Sequence, residues 1–154
     1  MYFLIYSDKG VSSLSVHHSY IMLKQFDIEE AKIKLINADY ILEGLSSKND
    51  KLLIMPGGAD TFYMEKLGQA GNFKIKDYVI KGGGYLGFCA GAYFACKSIQ
   101  FAIGTLNAVS GKRKLGFYPG NIIGPTLAPY SYNTKKGFKV SRIKFQQGLK
   151  KIRF

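Results

Sequence analysis

Cysteine is scarce in this sequence of 154 residues, and no long apolar run is present. Two cysteines, Cys89 and Cys96, cannot build a disulfide framework or a zinc knuckle, and they fit a reducing compartment. No apolar run approaches the roughly 20 residues that span a membrane. The apolar opening is closed by Asp8 and Lys9 and is too short for a signal peptide. These absences, with the length, predict a cytoplasmic protein of one domain.

Acidic residues are absent from the second half of the chain, because Asp77 is the last Asp or Glu of the sequence. Residues 1–77 carry nine Lys and ten acids, whereas residues 78–154 carry thirteen Lys or Arg. Such a basic end either binds nucleic acid or an acidic membrane surface, or is a solvated and partly disordered tail. No recognition helix accompanies the charge, so we expect no nucleic-acid partner. We expect residues 146–154 to be a poorly packed basic tail that the fold does not need.

Short apolar strands alternate with helical patterns over the first 97 residues. The predicted strands are Tyr2 to Tyr6, Ala31 to Ile36, Leu52 to Met55 and Tyr85 to Phe88. The predicted helices are residues 12–25, 39–45, 60–67, 73–81 and 90–97. This alternation predicts a parallel sheet covered by helices on both faces. Beyond Lys97 the pattern changes, and short strands are predicted at 101–103 and 139–145.

The letters GFCAG at residues 87–91 have the spacing of a nucleophile elbow, where a strand ends and a helix begins at a strained turn. Gly87 and Gly91 leave room at such a turn. The N–H groups that open the helix are expected to favour the thiolate of Cys89 and to lower its pKa. The alternative is that Cys89 is a small buried apolar side chain. Cys96 is predicted to be inert in mid-helix, about 10 Å of helical rise from Cys89 and too far to bridge.

Ligands of open α/β sheets bind beyond the carboxyl ends of the strands. Three segments are expected there, namely residues 7–13, residues 56–60 and Cys89. The bare backbone at Gly57 and Gly58, with the N–H of Ala90, can form an oxyanion hole. The alternative is an ordinary glycine turn. Asp60 follows as a candidate pocket residue, although a role as helix cap explains it equally well.

The segments MPGGAD, YLGFCAGAYF and VSGKRKLGFYPGNIIGP, with the opening GVSSLSVHHSYIML, carry a resemblance. Together they resemble the amidotransferase-like N-terminal domain of eukaryotic-type biotin–protein ligases, within the class I glutamine amidotransferase-like superfamily. The resemblance covers about residues 2–145, and it implies a domain at 1–145 followed by the tail at 146–154. It implies a flavodoxin-like three-layer sandwich with a mostly parallel sheet. It also implies Cys89 in the nucleophile position with Gly58 and Ala90 beside it.

Two features depart from that family's pattern. Class I amidotransferases complete a triad with a His and a Glu after the cysteine, but here no His follows residue 18 and no acid follows residue 77. The family domain continues beyond GFYPG, whereas this chain soon ends in basic residues. Tryptophan is absent, and so are the Gly-Arg-Gly-Arg and Lys-Trp-Pro-Asn-Asp segments of the biotin-ligase catalytic domain. We therefore expect a shortened domain, or a degraded remnant of one, with neither glutaminase nor biotin-transfer activity.

His18 is the candidate base for Cys89, because His17 and His18 are the only histidines. His18 shares a helical stripe with Leu14, Ile21 and Met22, so it is predicted to face inward near the carboxyl edge of the sheet. The alternative is a half-buried histidine with a backbone partner.

Two functions from different classes stay open. The first is a thiol-dependent hydrolase or amidotransferase-like enzyme in which Cys89 attacks a carbonyl group. The second is a non-catalytic ligand-binding or regulatory module that keeps the pocket. In both, the partner is a small molecule of unidentified chemistry, and neither a cofactor nor a metal is predicted. The expected pocket residues are Gly57, Asp60, Gly87 and Gly91.

Overall fold

A computed structural model describes residues 1–126 of the protein. Internal contacts group Met1–Gly124 as one compact unit. The strand predicted at 139–145, the domain boundary predicted at 145 and the basic tail at 146–154 therefore lie outside the described residues.

Helices and strands alternate along the first unit. The strands are β1 (Tyr2–Tyr6), β2 (Ile33–Ile36), β3 (Asp50–Met55), β4 (Gly84–Gly87), β5 (Cys96–Phe101), β6 (Val109–Lys112) and β7 (Tyr118–Gly124). The helices are α1 (Ser13–Gln25), α2 (Ala38–Glu43), α3 (Asp60–Ile80) and α4 (Ala90–Phe94), and a single 3₁₀ turn lies at Glu30–Lys32. Across residues 1–126, no helix has the length and apolar character needed to cross a membrane.

The first four strands form a parallel sheet in the order β2-β1-β3-β4. This is the beginning of the strand order found in flavodoxin-like folds. Strands β5, β6 and β7 form a second sheet in the order β6-β5-β7, in which β5 runs antiparallel to β6 and parallel to β7. The predicted α/β fold with a mostly parallel sheet is confirmed, and it is consistent with a flavodoxin-like sandwich.

Two hydrophobic clusters flank the parallel sheet, because successive side chains of a strand point to opposite faces. The larger cluster contains Leu4 and Tyr6 of β1 and packs them against α2 and α3. The smaller cluster contains Ile5 of β1 and Leu23 of α1. Helices therefore cover both faces of the sheet and hold the carboxyl ends of its strands in a fixed arrangement.

Local side-chain chemistry sets two helix boundaries. Ser12 caps α1, and its Oγ accepts the N–H of Ser15 at 3.4 Å. Asn37 caps α2, and its Oδ1 accepts the N–H of Tyr40 at 3.1 Å; the more distant Asp8 also accepts the N–H of Ala38, at 2.9 Å. The two helices predicted between residues 60 and 81 are confirmed as two helical segments joined at Gly68, whose φ of 54° interrupts α3.

The helix predicted at 90–97 is wrong in its second half. Helix α4 ends at Phe94, and Cys96 begins strand β5. Ile99 and Phe101 are buried and Gln100 between them is exposed, as expected for a strand with one covered face. The strand predicted at 101–103 is likewise displaced, since β5 ends at Phe101. Pairing with β6 and β7 makes residues 96–101 a strand, and the local sequence pattern does not indicate this long-range pairing.

Candidate functional site at the carboxyl edge of the sheet

The segments that follow β1 and β3 are joined by backbone contacts. Val11 and Gly58 form an isolated antiparallel bridge. The N–H of Ser12 donates to the carbonyl of Gly57 at 2.9 Å, and the N–H of Ala59 donates to the carbonyl of Gly10 at 2.9 Å. These bonds hold the Gly57–Gly58 turn against the start of α1.

The turn after β4 is held against β3 in the same way. The N–H of Phe88 donates to the carbonyl of Met55 at 2.9 Å, and the N–H of Gly91 donates to the carbonyl of Pro56 at 3.1 Å. The structure therefore brings all three predicted segments to one edge of the sheet, with Cys89 between β4 and α4.

Cys89 has a backbone conformation that is rare for a residue with a side chain. Its φ is 48° and its ψ is −106°. The glycines on either side make the turn possible. A Cβ on Gly87 would lie 2.5 Å from the carbonyl carbon of Gly91, and a Cβ on Gly91 would lie 2.7 Å from the carbonyl carbon of Met55. The strand therefore turns into the helix with no space for larger residues at either glycine.

The thiol of Cys89 is not acidified by its surroundings. The residue is exposed, but protein atoms packed around the sulfur remove part of its hydration, and this desolvation raises the pKa of Cys89. The backbone N–H groups of Ala90 and Gly58 act against this rise, while the charge of Asp60 adds to it. The predicted lowering of this pKa is wrong, because desolvation of the sulfur outweighs the hydrogen bonds from the Ala90 and Gly58 N–H groups.

Ser15 on α1 is a neighbour of Cys89 that the sequence analysis missed. Its Oγ accepts the N–H of Gly57 at 2.7 Å. A Cβ built on Gly57 would lie 3.2 Å from Ser15 Oγ and 3.4 Å from Cys89 Cβ, so the serine and the cysteine flank this glycine. The available signal was the i, i+4, i+8 stripe of Ser15, Ser19 and Leu23, which faces the protein interior.

Asp60 does not cap α3, so the predicted cap is wrong. The N-cap residue is Ala59, and no side chain caps this helix. The carboxylate of Asp60 instead forms a buried ion pair with Arg113, with 2.5 Å between Oδ2 and Nε. The Asp60 and Arg113 side chains are 7% and 2% exposed. Arg113 was not predicted as a site residue either, because an arginine between two lysines is expected to be an exposed surface residue.

Comparison with known proteins assigns the family. The sequence matches the family described as Biotin-protein ligase, N terminal, over residues 1–153. The chain belongs to this biotin–protein ligase N-terminal family. The resemblance carried by MPGGAD, YLGFCAGAYF and the GFYPG segment is therefore confirmed.

Two relatives show how much of a longer protein this family member matches. A biotin–protein ligase of Schizosaccharomyces pombe is 34% identical over 142 residues, which is 91% of this chain and 22% of that protein. An uncharacterized protein of Chlamydia muridarum is 38% identical over 148 residues, which is 92% of this chain and 56% of that protein. The chain therefore spans between about a fifth and about half of the length of these relatives.

His18 of this family member does not face inward, so that prediction is wrong. Both histidines are exposed, and the ring of His18 lies 6.1 Å from the ring of His17. Leu14 and Ile21, which share its stripe, are 49% and 40% exposed. The bonds of Ser12 and Ser15 to the Gly57 turn set the rotation of α1, and they place the serine stripe inward. Within residues 1–126, no group of three His, Cys, Asp or Glu side chains can hold a metal ion.

Cys96 is buried at the start of β5. Its sulfur lies 2.8 Å from the carbonyl oxygen of Tyr93 and 3.1 Å from that of Ser98, which both accept from the thiol. Burial raises the pKa of Cys96. Both cysteines are free thiols, and only Cys89 reaches the surface of this biotin–protein ligase N-terminal domain.

Proposed function

We propose that this domain is a thiol-dependent, hydrolase-like protein in which Cys89 is the nucleophile of a nucleophile elbow. The observation that carries the proposal is the φ of 48° at an exposed cysteine between a parallel strand and a helix. A non-glycine residue in this conformation costs of order 1–3 kcal/mol and persists only where the surrounding structure imposes it. The glycine contacts at Gly87 and Gly91 impose it here, and the strain presents the sulfur at the ligand-binding edge of the sheet.

The proposed reaction is acyl transfer from a small molecule. The Cys89 thiolate attacks a carbonyl carbon, a C–S bond forms, and the carbonyl π electrons move to oxygen. The N–H groups of Gly58 and Ala90 stabilise this oxyanion. Collapse expels the leaving group, which takes a proton from water, and leaves a thioester. Water then hydrolyses the thioester to a carboxylic acid and regenerates the thiol. Free thiols suit such chemistry in a reducing, cytoplasmic setting.

A second candidate is a ligand-binding module without turnover. Two observations favour it, namely the raised pKa of Cys89 and the exposed position of His18. A thiol that is mostly protonated near neutral pH reacts slowly, and a neighbouring general base typically contributes about 10² to 10⁴-fold. In this case the same N–H groups bind a carbonyl or carboxylate oxygen of a small ligand, and Cys89 contacts it.

Reaction with p-nitrophenyl acetate separates the two candidates. We expect release of p-nitrophenol with acetylation of Cys89, located by mass spectrometry, and continued turnover after the first equivalent. Cys89→Ala is expected to abolish both signals, whereas Cys96→Ala, at the buried thiol, is expected to keep them. A stable acetyl group on Cys89 without turnover supports the binding module. Release that is unaffected by Cys89→Ala overturns the assignment of Cys89 in both candidates.

A further inference from the structure

The buried ion pair between Asp60 and Arg113 stands at the start of α3, directly after the Gly57–Gly58 turn that flanks Cys89. Asp60 is the first residue of α3 and stands two positions after Gly58, whose N–H serves the cysteine. Arg113 follows β6 and reaches Asp60 across 53 residues of sequence. The guanidinium is further held by the carbonyl groups of Gly111 and Lys112, at 3.4 and 3.3 Å from Nη1. Its Nη2 is buried with no partner among residues 1–126.

A contribution to the stability of the fold does not by itself explain why a buried ion pair is present here. Removing two charges from water costs about as much as their attraction returns, and apolar side chains of similar volume are often equally stabilising in the same place. The position of the pair suggests another role, because a bare carboxylate beside a sulfur nucleophile disfavours the thiolate.

We infer that Arg113 is a positioning residue of the Cys89 site, which fixes Asp60 at the start of α3 and neutralises its charge there. This inference rests on the proposed role of Cys89 as the reactive thiol. The carboxylate keeps α3 and the Gly58 turn in place, and the guanidinium reduces the extent to which its charge opposes formation of the thiolate.

The groups that face Cys89 come from several elements. Helix α3 contributes Asp60 and the phenol of Tyr63, which donates to the carbonyl of Pro56 at 3.1 Å. Helix α1 contributes the hydroxyl of Ser15, and Arg113 reaches the site only through its ion pair with Asp60. Burial, and then the neighbouring thiol, raises the pKa of Tyr63, so this phenol stays neutral over the working range. Among the described residues, Asp60 is the charged group that acts on the Cys89 thiol, whereas the charge of Arg113 acts on Asp60 and on the buried thiol of Cys96.

The test is the pH dependence of Cys89 alkylation by iodoacetamide, read by mass spectrometry in the full chain. Asp60→Asn leaves the guanidinium uncompensated, so we expect the midpoint pH of alkylation to fall by about one unit. Arg113→Met leaves the carboxylate uncompensated, so we expect the midpoint to rise by a similar amount. The double variant is expected to return close to the wild-type midpoint. Lys81→Gln, which breaks an exposed pair with Asp77, is the matched control and is expected to leave the midpoint unchanged.

Opposite shifts in the two single variants support the inference, because a purely structural pair gives no reason for opposite signs. An unchanged midpoint in Asp60→Asn overturns it. If Arg113→Met does not fold, as judged by circular dichroism, then Asp60→Asn and the double variant decide the question in the same way. The proposed function is tested separately. If p-nitrophenyl acetate does not acetylate Cys89, the proposed function is wrong, whether or not the alkylation midpoints shift in the variants.

Discussion

Replacing Gly91 with alanine tests whether the turn at Cys89 depends on direct contact between α4 and β3. The new Cβ would lie 2.7 Å from the carbonyl carbon of Met55 and 2.8 Å from its Cβ, inside the 3.0 Å limit that real Cβ atoms respect. The carbonyl of Met55 also accepts the N–H of Phe88 at 2.9 Å, so it cannot move away cheaply. Helix α4 must therefore shift outward and take the N–H of Ala90 with it.

The expected loss of stability follows from this geometry. Overpacking typically costs about 1–3 kcal/mol, and we expect about 3 kcal/mol for Gly91→Ala because the obstacle is backbone. For a chain of this size, that loss lowers the thermal midpoint by about 6–12 °C. The displaced N–H of Ala90 is also expected to change the rate of Cys89 alkylation by iodoacetamide.

Gly82→Ala is the matched control for this substitution. Gly82 has a φ of 95° with no atom within 4 Å of an added Cβ, so its replacement adds backbone strain of about 1–2 kcal/mol without a steric clash. Thermal unfolding by circular dichroism compares the two variants, and alkylation of Cys89 is measured at one pH. A Gly91→Ala protein that is as stable as Gly82→Ala, with wild-type alkylation, would refute the close contact at the turn.

Three further outcomes are expected. Ammonia release from glutamine should be no faster than with Cys89→Ala, because no His or acid follows the cysteine in this chain; a rate that Cys89→Ala abolishes would contradict this. Arg113→Met should lower the free energy of unfolding in urea by about 3–5 kcal/mol, since it strands a buried carboxylate. Lys81→Gln at an exposed pair should change it by less than about 1 kcal/mol, and equal losses would contradict the burial. Burial raises the pKa of Asp8, but the N–H groups of Ala38 and Lys9 and the charge of Lys66 outweigh this and hold the pKa below its ordinary value. The Asp8 contribution is thus present at neutral pH and lost as the pH falls through the lowered pKa, so Asp8→Asn should be less stable than wild type at pH 7 and equal to it near pH 2, by urea titration at both pH values.

Strongly patterned segments were predictable from local residue types. The predicted strands Tyr2–Tyr6 and Leu52–Met55 are short, apolar and ended by turn residues, and both lie in strands of the parallel sheet. The spacing of Gly87 and Gly91 around Cys89 also predicted a strand that turns at once into a helix. The close approach of Gly87 to Gly91 is local, so the letters indicate it, whereas the approach of Gly91 to Met55 depends on the folded sheet.

The chemistry around Cys89 was not predictable in the same way. Its pKa depends on desolvation by atoms from distant parts of the chain, and that sum outweighs the local effect of the Ala90 N–H. The predicted inward orientation of His18 was wrong for a related reason. The serines of α1 bind the Gly57 turn 42 residues away, and that contact sets which face of the helix is buried.

The sequence by itself determined the alternation of strands and helices, the family, and the place of Cys89 at the carboxyl edge of the sheet. Only the tertiary structure decided that Cys96 begins a strand, that Ser15 flanks the cysteine, and that Asp60 pairs with Arg113 instead of capping its helix. The physical reason is the range of the interactions. Backbone turns and hydrophobic periodicity act over a few neighbouring residues, whereas strand pairing, burial and ion pairing depend on which distant segments the folded chain brings together.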